Sequence, residues 1–289
     1  MPPKPKVVYV MGSGHSGSTI LGVALGSCEG VFYAGELDNW LTRSGVSVLG
    51  GLERTRFWSA VRERVEGAQE LFGSRAQRSL ERSSAAVRPD RWAEARALRP
   101  RYRRVTQQLF EAIAAVSGCP YVVDSSHFPL RARELKALDG LDVHLILLVR
   151  DPEQVVGSFT RFINRNAGGD RLLRLLSKNL DIWLTHLLCL PVFLHTPRER
   201  RLLLRHEDFL QDPERVLGEL LAFVGSDAPL PDLEALRTGF PIQANRLIQH
   251  ETVSLQSKPH PRPAWTLTRL LQLPWQLVFS RLKPRVERR

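Results

Sequence analysis

The sequence predicts an α/β fold: a P-loop-like, three-layer arrangement with a central parallel sheet of about five strands, flanked by helices and carrying a helical insertion. Three observations predict it. Short β-rich runs alternate with helical stretches along the chain. The run Val143-His144-Leu145-Ile146-Leu147-Leu148-Val149 is almost uniformly apolar, as a parallel strand buried on both faces should be. A glycine-rich loop, Gly12 to Thr19, stands between the first β-rich run and the first helix.

The elements follow in order. Val7 to Met11 reads as the first strand, and Ile20 to Leu25 as a buried helix. Val31 to Ala34 is the second strand, ending at Gly35-Glu36-Leu37. Residues 55–115 are helical in character, with apolar residues three and four apart (Phe57, Val61, Val65; Leu109, Ile113), and Pro89 and Pro100 are expected to interrupt them. Tyr121 to Val123 is a third strand, running into Asp124-Ser125-Ser126; residues 130–138 are helical. The fourth strand, 143–149, ends at Arg150-Asp151-Pro152, and a helix starts near Glu153. Residues 172–194 form a largely apolar helix. Leu202 to Leu204 is the fifth strand, and Asp212-Pro213 opens an amphipathic helix to Gly225. The expected organisation is one domain over 1–289, with a helical insertion at about 40–118. A basic tail, about 259–289, is expected to pack loosely or be mobile.

At 289 residues the chain is long enough for a substantial core. Hydrophobic residues make up 43% and charged residues 25%, which excludes wholesale disorder. The net charge is +11, and Arg outnumbers Lys by 35 to six. Residues 54–104 alone hold 14 Arg against six acidic residues, and residues 281–289 hold five basic residues against Glu287. Such clusters suit an anionic partner: nucleic acid, an acidic substrate or a membrane surface. Cys28, Cys119 and Cys189 are too few and too scattered for a disulfide framework or a zinc site, and a reducing compartment is the simpler inference. The N-terminus imitates a signal peptide, because Lys4 and Lys6 precede a stretch without charge up to Glu29. Gly12 to Thr19 breaks the apolar region such a peptide needs, so a cytoplasmic location is expected, with the inner membrane face as an alternative site of peripheral contact. No run approaches the ~20 apolar residues of a spanning helix.

A strand, a glycine-rich turn and a helix make an anion site, because backbone N–H groups and the helix dipole point at the bound charge. Three motifs fit the loop. Gly12-x-Gly14-x-x-Gly17, with Glu36 about 20 residues on, matches the dinucleotide fingerprint. Gly12-x4-Gly17-Ser18-Thr19 matches a nucleotide-triphosphate P-loop in which Ser18 replaces the lysine that reaches the β- and γ-phosphates. The third is a phosphosulfate loop, with hydroxyls and amides around a 5′-phosphate. The loop alone does not choose. The fourth strand favours the third motif: Arg150 at its end, followed by Val155, Ser158 and Arg161, can hold a second phosphate about two helical turns away.

These residues carry a family resemblance. Gly14-His15-Ser16-Gly17-Ser18-Thr19, Leu148-Val149-Arg150-Asp151-Pro152 through Ser158, and Arg205-His206-Glu207-Asp208-Phe209 with Asp212-Pro213 resemble the sulfotransferases that use 3′-phosphoadenosine-5′-phosphosulfate (PAPS). The likeness is greatest to bacterial members related to carbohydrate and tyrosylprotein sulfotransferases. It covers roughly residues 7–225 and is weak over 40–115.

The resemblance implies that Gly14, His15, Ser16, Gly17, Ser18 and Thr19 bind the 5′-phosphosulfate and that Arg150 and Ser158 bind the 3′-phosphate. Arg246, in Gln243-Ala244-Asn245-Arg246, is a further candidate for the 3′-phosphate, although Ala244 stands where relatives have Gly. Glu36 is implied as the general base. His15 and His127 stand where relatives carry cations, and are expected to be protonated beside an anionic cofactor and to stabilise its charge as catalytic groups. The product nucleotide would be adenosine 3′,5′-bisphosphate, and the motifs require no metal. The acceptor would be a hydroxyl of a carbohydrate, lipid-linked or natural-product molecule, with its specificity set by residues 38–115 and 160–180. The alternatives are another P-loop nucleotide-binding enzyme of kinase type, a dinucleotide oxidoreductase, and a basic module for nucleic acid or membrane. Nucleic acid is not the expected partner, because aromatic residues are not interleaved with the Arg cluster. The sequence does not speak to oligomeric state.

Overall fold

The structure is a computed structural model describing residues 4–164, 171–243, 246–255 and 266–282. Val7 to Met11 are buried to the last residue, and the strand they form, β1 (Lys6–Gly12), is the middle of the sheet. It leads through the glycine loop into α1 (Ser18–Gly26), then β2 (Val31–Gly35). A helical insertion follows: α2 (Asn39–Thr42), α3 (Leu52–Glu63), α4 (Ala76–Leu80) and the long α5 (Trp92–Ser117). The chain then returns to the sheet with β3 (Tyr121–His127), α6 (Pro129–Leu135) and β4 (Asp142–Val149). Two helices, α7 (Pro152–Asn164) and α8 (Arg171–Leu194), precede β5 (Arg201–Arg205). After it come α9 (His206–Gln211) and α10 (Pro213–Val224). A short antiparallel pair, β6 (Leu236–Arg237) and β7 (Thr252–Val253), and a last helix, α11 (Leu267–Arg281), complete the described chain.

The five long strands are parallel in the order β2-β3-β1-β4-β5. Alternation within each strand divides the core into two layers. Val7, Tyr9, Met11, Leu145, Leu147 and Leu203 face a cluster that includes Trp40, Trp58, Tyr102 and Phe110 of the insertion. Val8, Val10, Ile146, Leu148, Leu202 and Leu204 face α1 and α10 through Leu21, Leu217 and Leu220. The sheet is therefore covered on both faces, the arrangement that the unbroken apolar run of β4 predicts. Parallel strands place their C-terminal ends at one edge, where ligands bind in open α/β sheets.

Two expectations need correction. Pro100 does not interrupt α5, which runs through it from Trp92 to Ser117. Pro100 is exposed, so the carbonyl it leaves unpaired is open to water, while Ala95, Tyr102, Val105 and Leu109 hold the buried face together on both sides. Pro89 does act as a break, opening a single 3₁₀ turn before α5. The tail is not uniformly loose, because residues 267–281 form α11 with Thr268, Gln272, Trp275 and Phe279 buried at helical spacing.

Candidate active site

Four loops meet at the C-terminal edge of the sheet, and each is held by a specific contact. The loop after β1 turns at Gly17, whose φ of 93° is left-handed and whose Cα lies against the His206 ring. A Cβ there would stand 2.3 Å from that ring, so glycine is required twice over. Inside the loop, the Ser16 hydroxyl donates to the Ser13 carbonyl at 2.6 Å. The N-cap of α1 supplies no side-chain acceptor, which leaves its first-turn amides available to an anion. Arg150, at the end of β4, donates to the His15 carbonyl at 3.1 Å and so joins the second loop to the first.

The loop after β2 carries Glu36. Its amide donates to the Gln243 carbonyl at 2.8 Å, and Gln243 Nε2 lies 3.4 Å from its carboxylate. The next residue but one, Asp38, donates its amide to Ser126 Oγ at 3.0 Å, tying this loop to the end of β3. Behind them lies a buried ionic cluster. Asp124 accepts from the Ser126 amide at 2.9 Å, from the Ser126 hydroxyl and from Arg131 Nε at 2.9 Å; Arg131 also pairs with Glu81. The cluster fixes the backbone that presents His127. Glu207, just after β5, accepts from the Asp151 amide at 2.9 Å and anchors the turn into α7.

These loops enclose a cavity of about 810 Å³. Gly14, His15, Gly17, Ser18, Thr19, Glu36, His127, Arg150 and Ser158 all line it. Of the residues singled out in the sequence, Ser16 turns its hydroxyl into the loop instead, and the side chains of Arg161 and Arg246 lie outside the described residues. Two of the three non-glycine residues with positive φ among the described residues are His15 (71°) and His127 (58°), so backbone strain is concentrated at this wall.

The sequence reading missed the contribution of α8. Lys178, Asp181 and Thr185 line the cavity from one face of that helix. Lys178 is buried, donates to Asp181 Oδ2 at 2.7 Å, and sits 5.1 Å from the centre of the Phe159 ring. A Cβ on Gly14 would lie 3.8 Å from His127 Nε2 and 4.0 Å from Lys178 Nζ, which measures how tightly the three converge. The signal available in the sequence was a lone lysine in an arginine-rich chain, three and seven residues before Asp181 and Thr185. His206, Leu210 and the segment Val253–Leu255 form a less charged part of the lining, and Arg82, Ser83 and Ser84 come from the insertion.

The electrostatics of this wall pull the two imidazoles and the Glu36 carboxyl in opposite directions. Burial first, then the charges of Lys178 and Arg150, hold the His15 imidazole below its ordinary 6.5. Burial first, then Lys178, pushes His127 down to about 4. Both imidazoles are therefore held toward the neutral form by the protein itself, and the permanent charge comes from Lys178 and Arg150. Glu36 moves the other way: burial, then the neighbouring Asp124 carboxylate, raises it from 4.5 to about 7. A carboxylate with that value can both accept and release a proton near neutrality.

Fold and cavity define a P-loop-like α/β protein with a glycine loop and a titratable carboxylate facing the same space. A family model described as the sulfotransferase family matches residues 5–230, and the chain belongs to that family. Among solved structures, the sulfotransferase domain from the curacin biosynthetic pathway is similar at 19% identity and a TM-score of 0.57, covering 94% of this chain and 98% of its own. The sulfotransferase domain of the Synechococcus olefin synthase is similar at 17% identity and 0.54, covering 96% and 97%. The sulfotransferase STF9 from Mycobacterium avium is similar at 14% and 0.54, covering 99% and 79%. At these identities the three show a common fold. Among curated proteins, none matches the chain.

Proposed function

We propose that the protein transfers a sulfuryl group from 3′-phosphoadenosine-5′-phosphosulfate to a hydroxyl of a carbohydrate, lipid-linked or natural-product acceptor. The observation that carries this is the convergence, in a sulfotransferase family member, of the 14–19 loop, Arg150, Ser158 and Glu36 on one cavity. The residues present fit the donor. The loop amides with Ser18 and Thr19 suit a 5′-phosphosulfate, and the Arg150 fork with the Ser158 hydroxyl suits a 3′-phosphate. Ile20, His206, Leu210 and Leu255 offer the less charged lining a nucleoside needs.

When bound, the donor supplies an activated sulfur–oxygen bond. That bond breaks as the acceptor oxygen bonds to sulfur, and adenosine 3′,5′-bisphosphate leaves with the electron pair. The work of the chain is to position and to balance charge. Glu36 accepts the acceptor's proton. Lys178 offsets negative charge on the transferred group and the leaving 5′-phosphate, and Arg150 holds the 3′-phosphate. His15 and His127 hydrogen-bond to the donor, whose negative charge works against the depression that burial and Lys178 impose on both imidazoles. Arg82, Ser83 and Ser84 lie where an acceptor would enter from the insertion.

Thermal shift with the bisphosphate, ATP and NAD tests the donor class. Stabilisation by the bisphosphate alone is expected, and preference for ATP or NAD would overturn the reading in favour of a kinase-like or dinucleotide enzyme. Incubation with radiolabelled donor and host extract then identifies the acceptor through the labelled product.

A further inference from the structure

The C-terminal helix reaches back to the turn that presents Arg150. Thr266 caps α11, and its hydroxyl donates to Glu153 Oε1 in the first turn of α7. Just inside α11, Arg269 Nε stands 3.2 Å from Glu153 Oε2, and Arg269 Nη2 stands 3.6 Å from Asp151 Oδ2. Asp151 in turn caps α7, because its Oδ1 accepts from the Glu153 amide at 2.9 Å. Glu153 Oε2 is buried and makes no hydrogen bond among the described residues, so Arg269 is its counter-charge. Thr266 and Arg269 lie beyond residues 5–230, the stretch that the family model matches, whereas the turn they hold lies within it.

Two features make this clip more than a surface ion pair. The first is the space behind the turn. A second cavity, of about 540 Å³, is bordered by Arg150, Asp151 and Pro152 of the turn and by Gln272, Leu273 and Leu277 of α11. Polar links therefore fasten the turn to α11 across a gap that side chains do not fill. Arg150 borders both this cavity and the larger one, and Ser158 enters the larger one from the same helix, α7, about two turns along. A shift of the first turn of α7 would move both residues assigned to the 3′-phosphate. The second feature is charge. Asp151 and Glu153 follow Arg150 by one and three residues, at a site assigned to a phosphate with about two negative charges. Left without a cation, these carboxylates would repel that phosphate. Arg269 faces both of them.

We propose that Arg269 is a positioning residue for the 3′-phosphate of the donor. It pins the first turn of α7 and balances Asp151 and Glu153, so that Arg150 and Ser158 meet the phosphate in a fixed place and a favourable field. The inference rests on the donor reading above and makes the C-terminal helix part of donor recognition.

The test is calorimetry on the full chain with adenosine 3′,5′-bisphosphate and with adenosine 5′-monophosphate, which lacks the 3′-phosphate. The wild type should prefer the bisphosphate. R269Q should weaken the bisphosphate about tenfold and leave the monophosphate unchanged, whereas a general loss of structure would weaken both. E153Q/R269Q removes the stranded carboxylate together with its partner, and should regain about threefold or more of that loss. The proposal is overturned if R269Q binds the bisphosphate like the wild type, if it weakens both nucleotides equally, or if the double variant regains nothing. A wild type that does not prefer the bisphosphate overturns the donor reading itself, and the proposal with it.

Discussion

Replacing Glu36 with Gln should slow the enzyme and stabilise the fold, with both effects following the same titration. Burial and Asp124 raise the Glu36 carboxyl from 4.5 to about 7. The folded state therefore holds this proton more tightly than the unfolded chain does. Below pH 4.5 both states are protonated and the residue costs nothing. As the pH rises toward 7 the unfolded chain ionises first, and the wild type loses stability; above 7 the loss is complete. A shift of that size corresponds to a ceiling of about 3 kcal/mol, and partial exposure lowers it toward 1–2 kcal/mol. The Gln variant is isosteric, keeps an acceptor for Asn39 and Gln243, and has no charge to desolvate. Urea unfolding at pH 4.5 should give nearly equal stabilities, and at pH 8.5 the variant should be ahead by that margin. Its kcat/KM should fall by about 10²–10⁴-fold, and the rise in rate through pH 7 expected of the wild type should be absent. The reasoning is refuted if the stability difference does not grow between pH 4.5 and 8.5, or if the variant retains the limb near pH 7.

The other expectations concern the cations. Lys178→Met should lower the transfer rate about a hundredfold or more, and should let the His15 and His127 imidazoles move up, since Lys178 helps to depress both; NMR titration that finds neither moving would contradict its place beside them. Arg150→Ala should weaken bisphosphate binding by about a hundredfold, at 1.5–3 kcal/mol for a charged hydrogen bond, as read by calorimetry. Unchanged affinity would remove Arg150 from the 3′-phosphate. Arg82→Gln should raise the acceptor KM several-fold and leave bisphosphate affinity unchanged, because Arg82 enters the cavity from the insertion and lies 5.6 Å from the Phe128 ring centre. Equal loss of both would place it on the donor instead.

What was legible in the sequence follows from what is local. The five strands fall within a residue or two of their expected places, apart from β3, which extends through Asp124-Ser125-Ser126 to His127. Strands buried on both faces write themselves as apolar runs. The glycine loop, Arg150 and Ser158 could be read for the same reason, since strand, turn and helix lie within a few residues of one another. Lys178 could not. It reaches the loop from a helix more than 150 residues away, and on paper it is one charge in an apolar helix. The direction of the imidazole shifts was hidden with it. A bound anion would raise both histidines, and only their burial in the folded chain, with Lys178 beside them, shows that the protein pulls the other way. The α11 helix was masked by its Pro- and Arg-rich surroundings, although Thr268, Gln272, Trp275 and Phe279 keep helical spacing.

The +11 charge divides along the same line. Within the arginine-rich insertion, Arg99 and Arg103 close on Glu134, Arg101 on Glu70, and Arg88 on Asp90. Arg54 spends its donors on the Gly50 and Gly239 carbonyls. Arg54, Arg99 and Arg103 hold the insertion against the rest of the fold, whereas Arg88 and Arg101 make exposed pairs within it that stabilise only slightly. Arg82 is the arginine of the cluster that reaches the cavity. At the site the permanent cations are thus Arg150, Lys178 and Arg82, set against Asp181 and a Glu36 that is half protonated near neutrality. That is a positive cavity with a poised base, suited to an anionic donor and a neutral hydroxyl. Of the 14 arginines in the stretch that by composition alone suggested nucleic acid, Arg54, Arg88, Arg99, Arg101 and Arg103 are scaffold and Arg82 lines the cavity.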